Sequence, residues 1–211
     1  EKKPAVTVTC NGNTLTQGQD YTLYYHANTN AGSATVTITG KGRFSGSVEK
    51  AFQIQPADLS RSSVDLSADS FTYDGTEKKP SVTVKTGNRQ LTANSDYTVS
   101  FVNNTNAGSA TVTVTGKGNY SGSVTKNFTI SAASLEKAEL ALSASSFTYD
   151  GTEKKPDVTV TVNKKQLKKG TDYTVSYDNN TNIGTASVTI TGKGNYSGTV
   201  TKSFQITARD L

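Results

Sequence analysis

With 211 residues, 33% of them hydrophobic, no Met, no Trp and a single Cys, the chain lacks the material for a large enzyme core and holds no intrachain disulfide. Its net charge of +5 is mild and spread over Lys2-Lys3, Lys78-Lys79, Lys154-Lys155, Lys164-Lys165 and Lys168-Lys169. With no interleaved aromatics and no nucleic-acid motif, these lysines read as solvated strand ends and turns, and no nucleic acid is expected. No apolar run approaches a membrane span, so no direct membrane insertion is expected either.

The chain opens on Glu1-Lys2-Lys3-Pro4, and this tetrapeptide returns at Glu77 and Glu153, each time 76 residues on. Thr39-Gly40-Lys41-Gly42 returns at Thr115 and Thr191 with the same period. A fixed period without insertions means that one supersecondary unit is copied. Three bodies follow, at 1–59, 60–135 and 136–211. The first has no copy of the Phe71-Thr72-Tyr73-Asp74-Gly75-Thr76 segment, which leaves it a strand short with an exposed edge or reflects where the fragment begins.

The second unit shows the element pattern best. Val82 and Val84 share a face across Thr83, and Ala110, Val112 and Val114 alternate with threonines. Tyr97, Val99 and Phe101 do the same, as do Val124, Phe128 and Ile130. Such period-two alternation with β-branched residues predicts half-buried antiparallel strands near 64–67, 71–73, 81–85, 89–91, 97–102, 108–115 and 122–130. Asp74-Gly75, Thr86-Gly87-Asn88 and Gly116-Lys117-Gly118-Asn119 supply the turns. Seven short strands per unit argue for a β-sandwich. Related Tyr-Asp-Gly modules that fold as β-grasp units remain the alternative, and helix content decides between the two. The joints are short: Gln55-Pro56-Ala57-Asp58-Leu59-Ser60 lacks a floppy Gly/Ser composition, and around the second joint, at 131–135, the stretch 132–137 has room for a single helical turn. Leu59, Leu135 and Leu211 recur there, as residues that pack at a joint would.

Candidate chemistry is sparse. Gly116-Lys117-Gly118-Asn119 lacks the Gly-Lys-Ser/Thr ending of a phosphate loop and reads as a turn. His26 has no Cys or His partner, so no catalytic or metal role is expected of it. Asp20, Asp96 and Asp172 precede tyrosines and are expected to bind turn amides while the rings enter the core. Cys10 reads as a small, semi-buried filler. No metal and no cofactor is expected. Lys50, Lys126 and Lys202 fall in the inward phase of the last strand, where a lysine needs a partner or a route to the rim. They are candidate crosslink residues, with Asp96 beside Glu77, or Asp172 beside Glu153, as the acids of an isopeptide bond. The Asn-rich loops carrying Asn103, Asn104 and Asn106, and Asn179, Asn180 and Asn182, are candidate ligand-facing surfaces.

The run Tyr149-Asp150-Gly151-Thr152, Lys155-Pro156, Val158-Thr159-Val160, Gly170-Thr171-Asp172-Tyr173-Thr174-Val175, Asn179-Asn180-Thr181-Asn182 and Thr191-Gly192-Lys193-Gly194-Asn195-Tyr196 resembles the immunoglobulin-like tandem repeats of Gram-positive, clostridial-type surface proteins. The first unit departs from it with Gly42-Arg43-Phe44 in place of Gly-Asn-Tyr. The resemblance implies three immunoglobulin-like β-sandwiches acting as a non-catalytic extracellular stalk at the cell surface or cell wall. A monomer whose partners are the flanking domains of its own polypeptide is expected. The rival reading is a multivalent adhesive module for host glycans or proteins, motivated by the Asn loops and tyrosines.

Overall fold

The computed structural model describes residues 1–210, so Leu211 lies outside the described residues. The third repeat shows how the alternation becomes a sandwich. Glu139–Leu142, Val158–Val162 and Lys165–Gln166 form one antiparallel sheet, with Leu140 opposite Val160 and Leu142 opposite Val158. Asn163 and Lys164, at φ 48° and 67°, close its hairpin. Two successive left-handed residues match the right-handed twist of the flanking strands. The second sheet runs in the order Ser146–Thr148, Thr199–Thr207, Gly184–Gly192, Tyr173–Asp178. Along Gly184–Gly192 the inward residues Ala186, Val188 and Ile190 are fully buried, while Thr185, Thr191 and their like face water.

The two inner faces meet in one cluster around Val160, Leu167, Tyr173, Val188 and Ile190, and in a second around Ala186, Phe204 and Ile206. Leu142 and Tyr177 pack against both. Burying each such side chain stabilises by roughly 1.5–3 kcal/mol, which is how short strands with polar outer faces suffice. The chain is all-β, 54% strand, with the architecture of immunoglobulin-like β-sandwiches. A β-grasp unit needs a helix laid across its sheet. The one helical element among the described residues is the 3-10 turn Leu59–Arg61.

One expectation changes. The sheets are mixed: Ser146–Thr148 runs parallel to the last strand, with Phe147 opposite Ile206, and Ser70–Thr72 does the same with Phe71 opposite Ile130. The opening segment of the second and third repeats pairs first in one sheet (Ser63–Leu66 against Val82–Thr86, Glu139–Leu142 against Val158–Val162) and then crosses to the other. Alternation reports which face is buried and carries no strand direction. The strand expected at 122–130 forms as Ser123–Ser131, and a short strand that was not expected precedes it. Tyr120–Ser121 pairs with Ala57–Asp58, Gly122 turns at φ 75°, and Ser123–Ser131 follows.

In the first repeat, Tyr21–His26, Gly32–Gly40 and Ser47–Ile54 form a three-stranded sheet, and Thr9–Cys10 pairs with Asn13–Thr14. Phe128 and Phe204 are buried and meet Phe71 and Phe147 edge to face, at 5.5 and 5.7 Å between ring centres. Phe52 and Ile54 stay half-buried, and Val48 is 56% exposed. Among the described residues no strand covers this edge as Ser70–Thr72 covers the second repeat's last strand.

The chain divides into two compact units. One holds 1–66, 81–100 and 112–126; the other holds 67–80, 101–111 and 127–211. The division passes through the middle repeat, so each joint between repeats lies inside a unit.

Candidate functional site

The most elaborate polar construction in each unit is the joint between repeats. In the first unit it starts from the Gly116 loop. A Cβ on Gly116 would stand 2.7 Å from the Ser121 nitrogen, so only glycine lets the chain fold back this closely. Gly116 donates to Gly122, Lys117 donates its amide to the Asp96 carbonyl, and the Lys117 ammonium donates to the Asn94 carbonyl at 2.8 Å. The Gly-Lys-Gly lysine is thus engaged with the turn itself.

This loop presents Asn119. Its Oδ1 accepts from the Ala31 amide at 2.7 Å, its Nδ2 donates to Asn30 Oδ1 at 2.9 Å, and its carbonyl accepts from the Ala57 amide at 2.9 Å. Asn119 therefore ties together two residues of the first repeat and the linker. Tyr120 and Ser121 pair with Ala57 and Asp58 as a parallel strand, and Arg89 lies 6.0 Å from the centre of the Tyr120 ring. Asp58 Oδ1 then accepts from the Ser60 amide and caps the 3-10 turn, which carries Leu59 into full burial. The helical turn expected around 132–137 does not form, since that joint makes only a hydrogen-bonded turn from the Ala138 amide to the Leu135 carbonyl, and the one 3-10 turn among the described residues lies at the first joint.

The second unit repeats the construction. Asn195 Oδ1 accepts from Ala107 at 2.7 Å, Nδ2 donates to Asn106 Oδ1 at 3.0 Å, and its carbonyl accepts from Ala133 at 2.9 Å. Ala133 and Ser134 pair with Tyr196 and Ser197, and the Leu135 amide donates to the Ser197 carbonyl. Leu135 is 0% exposed and belongs to the third repeat's core. Here Tyr73 and Tyr196 meet edge to face at 5.6 Å, with the Lys165 ammonium 5.7 Å from the Tyr73 ring centre. Charge interaction with the phenolic groups of Tyr196 and Tyr73 raises the Lys165 pKa above its ordinary value, and burial raises that of Tyr196.

The predicted site residues separate by role. Asn104 and Asn180 turn inward, each donating at 2.9 Å to the carbonyl of Lys78 or Lys154, and Asn28 does the same to Lys2 at 3.0 Å. Asn106 belongs to the joint. Asn103 and Asn179 hold left-handed turns at φ 58° and 54°. Asn182 is exposed.

Lys126 is half-buried and donates to the Val64 carbonyl at 2.9 Å; exposed Lys202 donates to Leu140 at 2.5 Å. Both reach across to the edge strand of the facing sheet, as a snorkelling lysine does. Lys50 is exposed, and its backbone pairs with Val36. The acids considered for a crosslink are engaged elsewhere: Glu77 with Lys79, Glu153 with Lys155, and Asp96 and Asp172 with the amides of Thr92 and Lys168. The latter two fill the turn-capping role expected of them, and Tyr97 and Tyr173 are buried beside them.

Two readings are corrected. Lys154, placed among solvated lysines, is only 9% exposed, and Lys78 resembles it. Each pairs with the aspartate four residues before it, at 2.5 Å, inside an Asp-Gly-Thr turn whose threonine also donates to that carboxylate. The lysine's hydrogen bond first, and the threonine's second, hold the Asp74 and Asp150 carboxyls far below the usual range. Cys10, read as semi-buried, is exposed, because the short Thr9–Cys10 strand has both its residues in water. His26 is exposed at a strand end opposite Thr35. No group of three or more metal-binding side chains occurs among the described residues, and no helix there is long and apolar enough to cross a membrane.

Residues 69–132 match the Bacterial Ig-like domain (group 3) family, and residues 138–210 match the MBG domain family. The second repeat is thus similar to bacterial immunoglobulin-like domains and the third to MBG domains. No curated protein matches the chain. Among solved structures it is similar to a protocadherin gammaB7 EC3-6 cis-dimer at 12% identity and TM-score 0.28, covering 99% of this chain and 70% of that one. It is similar to PcdhgB3 EC1-4 at 11% identity and TM-score 0.22, covering 90% and 65%. The protocadherin gammaB4 extracellular domain matches at 12% and 0.23, with 100% of this chain and 47% of that one covered. At these TM-scores the likeness carries no argument about function.

Proposed function

We propose that the chain is a non-catalytic spacer of a Gram-positive surface protein or adhesin, three repeats at 1–59, 60–135 and 136–211 that hold functional domains of the same polypeptide away from the cell wall. The observation that carries this reading is the joint. Both linkers bury their leucine, add a strand to the following repeat, and are held by one asparagine that bonds three groups. Ordering a linker this fully costs chain entropy and fits a part whose task is spacing. Both matching families are generally non-catalytic, which supports the same reading. The partners are then the flanking domains, and the protein acts as an extracellular monomer.

Glycan arrays and host-protein panels probed with the full chain test this directly. A spacer gives no saturable binding. Saturable low-micromolar binding of one glycan or protein class, lost on substitution of Asn103 or Asn179, would replace it with the adhesive reading.

A further inference from the structure

The joints reveal a matched pair of surfaces, and the third repeat repeats one half of it. Ala31 and Ala107 are half-buried residues whose amides donate to the asparagine of the following Gly-Asn-Tyr loop, while Asn30 and Asn106 accept from the same side chain. One period on, the corresponding residues are Asn182 and Ile183. Ile183 is 58% exposed, an apolar side chain larger than the alanines it replaces. No partner for its amide or for the Asn182 carboxamide is found among the described residues.

We propose that Asn182 and Ile183 form a docking surface whose occupant is the Gly-Asn-Tyr loop of one further repeat of this kind. The loop asparagine would accept from the Ile183 amide through Oδ1 and donate to Asn182 through Nδ2, as Asn119 and Asn195 do at the two joints. The surface also discriminates. Asparagine carries an acceptor and a donor on one planar group, so it satisfies an amide and a carboxamide oxygen together. In the first repeat the same loop position is Arg43, and a guanidinium has no acceptor to offer an amide. A first-repeat loop is therefore the wrong occupant, and an asparagine-bearing loop the right one. The inference goes beyond the spacer reading and rests on the joint geometry alone.

The test lengthens the full chain with a copy of residues 136–211 joined after Leu211, and follows amide hydrogen exchange by NMR. In the parent chain the Ala31 and Ala107 amides should be protected and the Ile183 amide should exchange freely. In the lengthened chain the Ile183 amide should slow by about tenfold or more, the loss expected from one good hydrogen bond. Asn195→Ala and Asn195→Arg, each made only in the appended copy, should return it to the parent rate while the copy's own core amides stay protected. Equal protection in all three lengthened chains would overturn the proposal, because the asparagine would then be irrelevant. So would an unprotected Ile183 amide beside a folded copy. A copy that stays unfolded counts against it as well, since a competent surface would order it as the second repeat orders the third. Failure here would leave the two observed joints, and the spacer reading built on them, standing.

Discussion

Leu135 sits in what the sequence presents as a linker, and replacing it with alanine separates an ordered joint from a tether. Its side chain is wholly buried in the cluster of Val160, Val162, Leu167, Tyr173, Val188, Ile190 and Tyr196. A fully buried Leu→Ala change costs about 2–5 kcal/mol, from lost transfer energy and the cavity left behind. The same change in an exposed tether stays within about 0.5 kcal/mol. A 76-residue repeat is worth in total roughly 4–11 kcal/mol at the usual stability per residue, so the substitution removes a large share of the third repeat's stability. Urea unfolding followed by tyrosine fluorescence measures this, there being ten tyrosines and no tryptophan. The midpoint should fall with little change in slope. A loss below about 1 kcal/mol would refute the claim that the linker leucine is a core residue.

Lys126→Met should cost less than about 1 kcal/mol, because the stem's packing is kept and the lost bond to the Val64 carbonyl is partly solvated; a loss above about 2 kcal/mol would show a dedicated buried partner. The intact mass should equal that of the sequence, with no deficit of ammonia or water from a lysine crosslink. Cys10 should react fully with a thiol reagent in the absence of denaturant, and protection of the thiol would contradict its exposure. The Asp74 and Asp150 carboxyls are depressed from an ordinary 3.8, so their contribution is present above about pH 4 and is lost as pH falls below it. The urea midpoint of the native chain should drop on acidification more steeply than that of Asp150→Asn, and parallel curves would show that the turn contributes nothing.

The core was legible because strand alternation is a direct consequence of one wet and one dry face. Ala110, Val112 and Val114 announce it in the sequence, and all three are fully buried. Strand direction was not legible, since Phe71 shows the same pattern whether it runs with or against Ile130. The inward phase of Lys126 was correct for its Cβ and misleading for its ammonium, because a four-carbon stem carries the charge to the rim. Lys78 and Lys154 looked solvated beside exposed neighbours, and only the folded Asp-Gly-Thr turn shows the carboxylate that meets each of them.

The joint asparagines were hidden by distance, since Asn119 and Ala31 are 88 residues apart and nothing local marks the pair. One signal did exist. Asparagine occupies the loop in the two repeats that follow another repeat here, and arginine occupies it in the first.

Amide hydrogen exchange at the two linkers bears most directly on the proposed spacer role. Ordered joints predict that the Ala57, Ala133 and Leu135 amides, which donate to the carbonyls of Asn119, Asn195 and Ser197, exchange about as slowly as core strand amides. Leu135→Ala should speed exchange at Ala133. Linker amides that exchange in the native chain as freely as those of an unstructured peptide would contradict the spacer account.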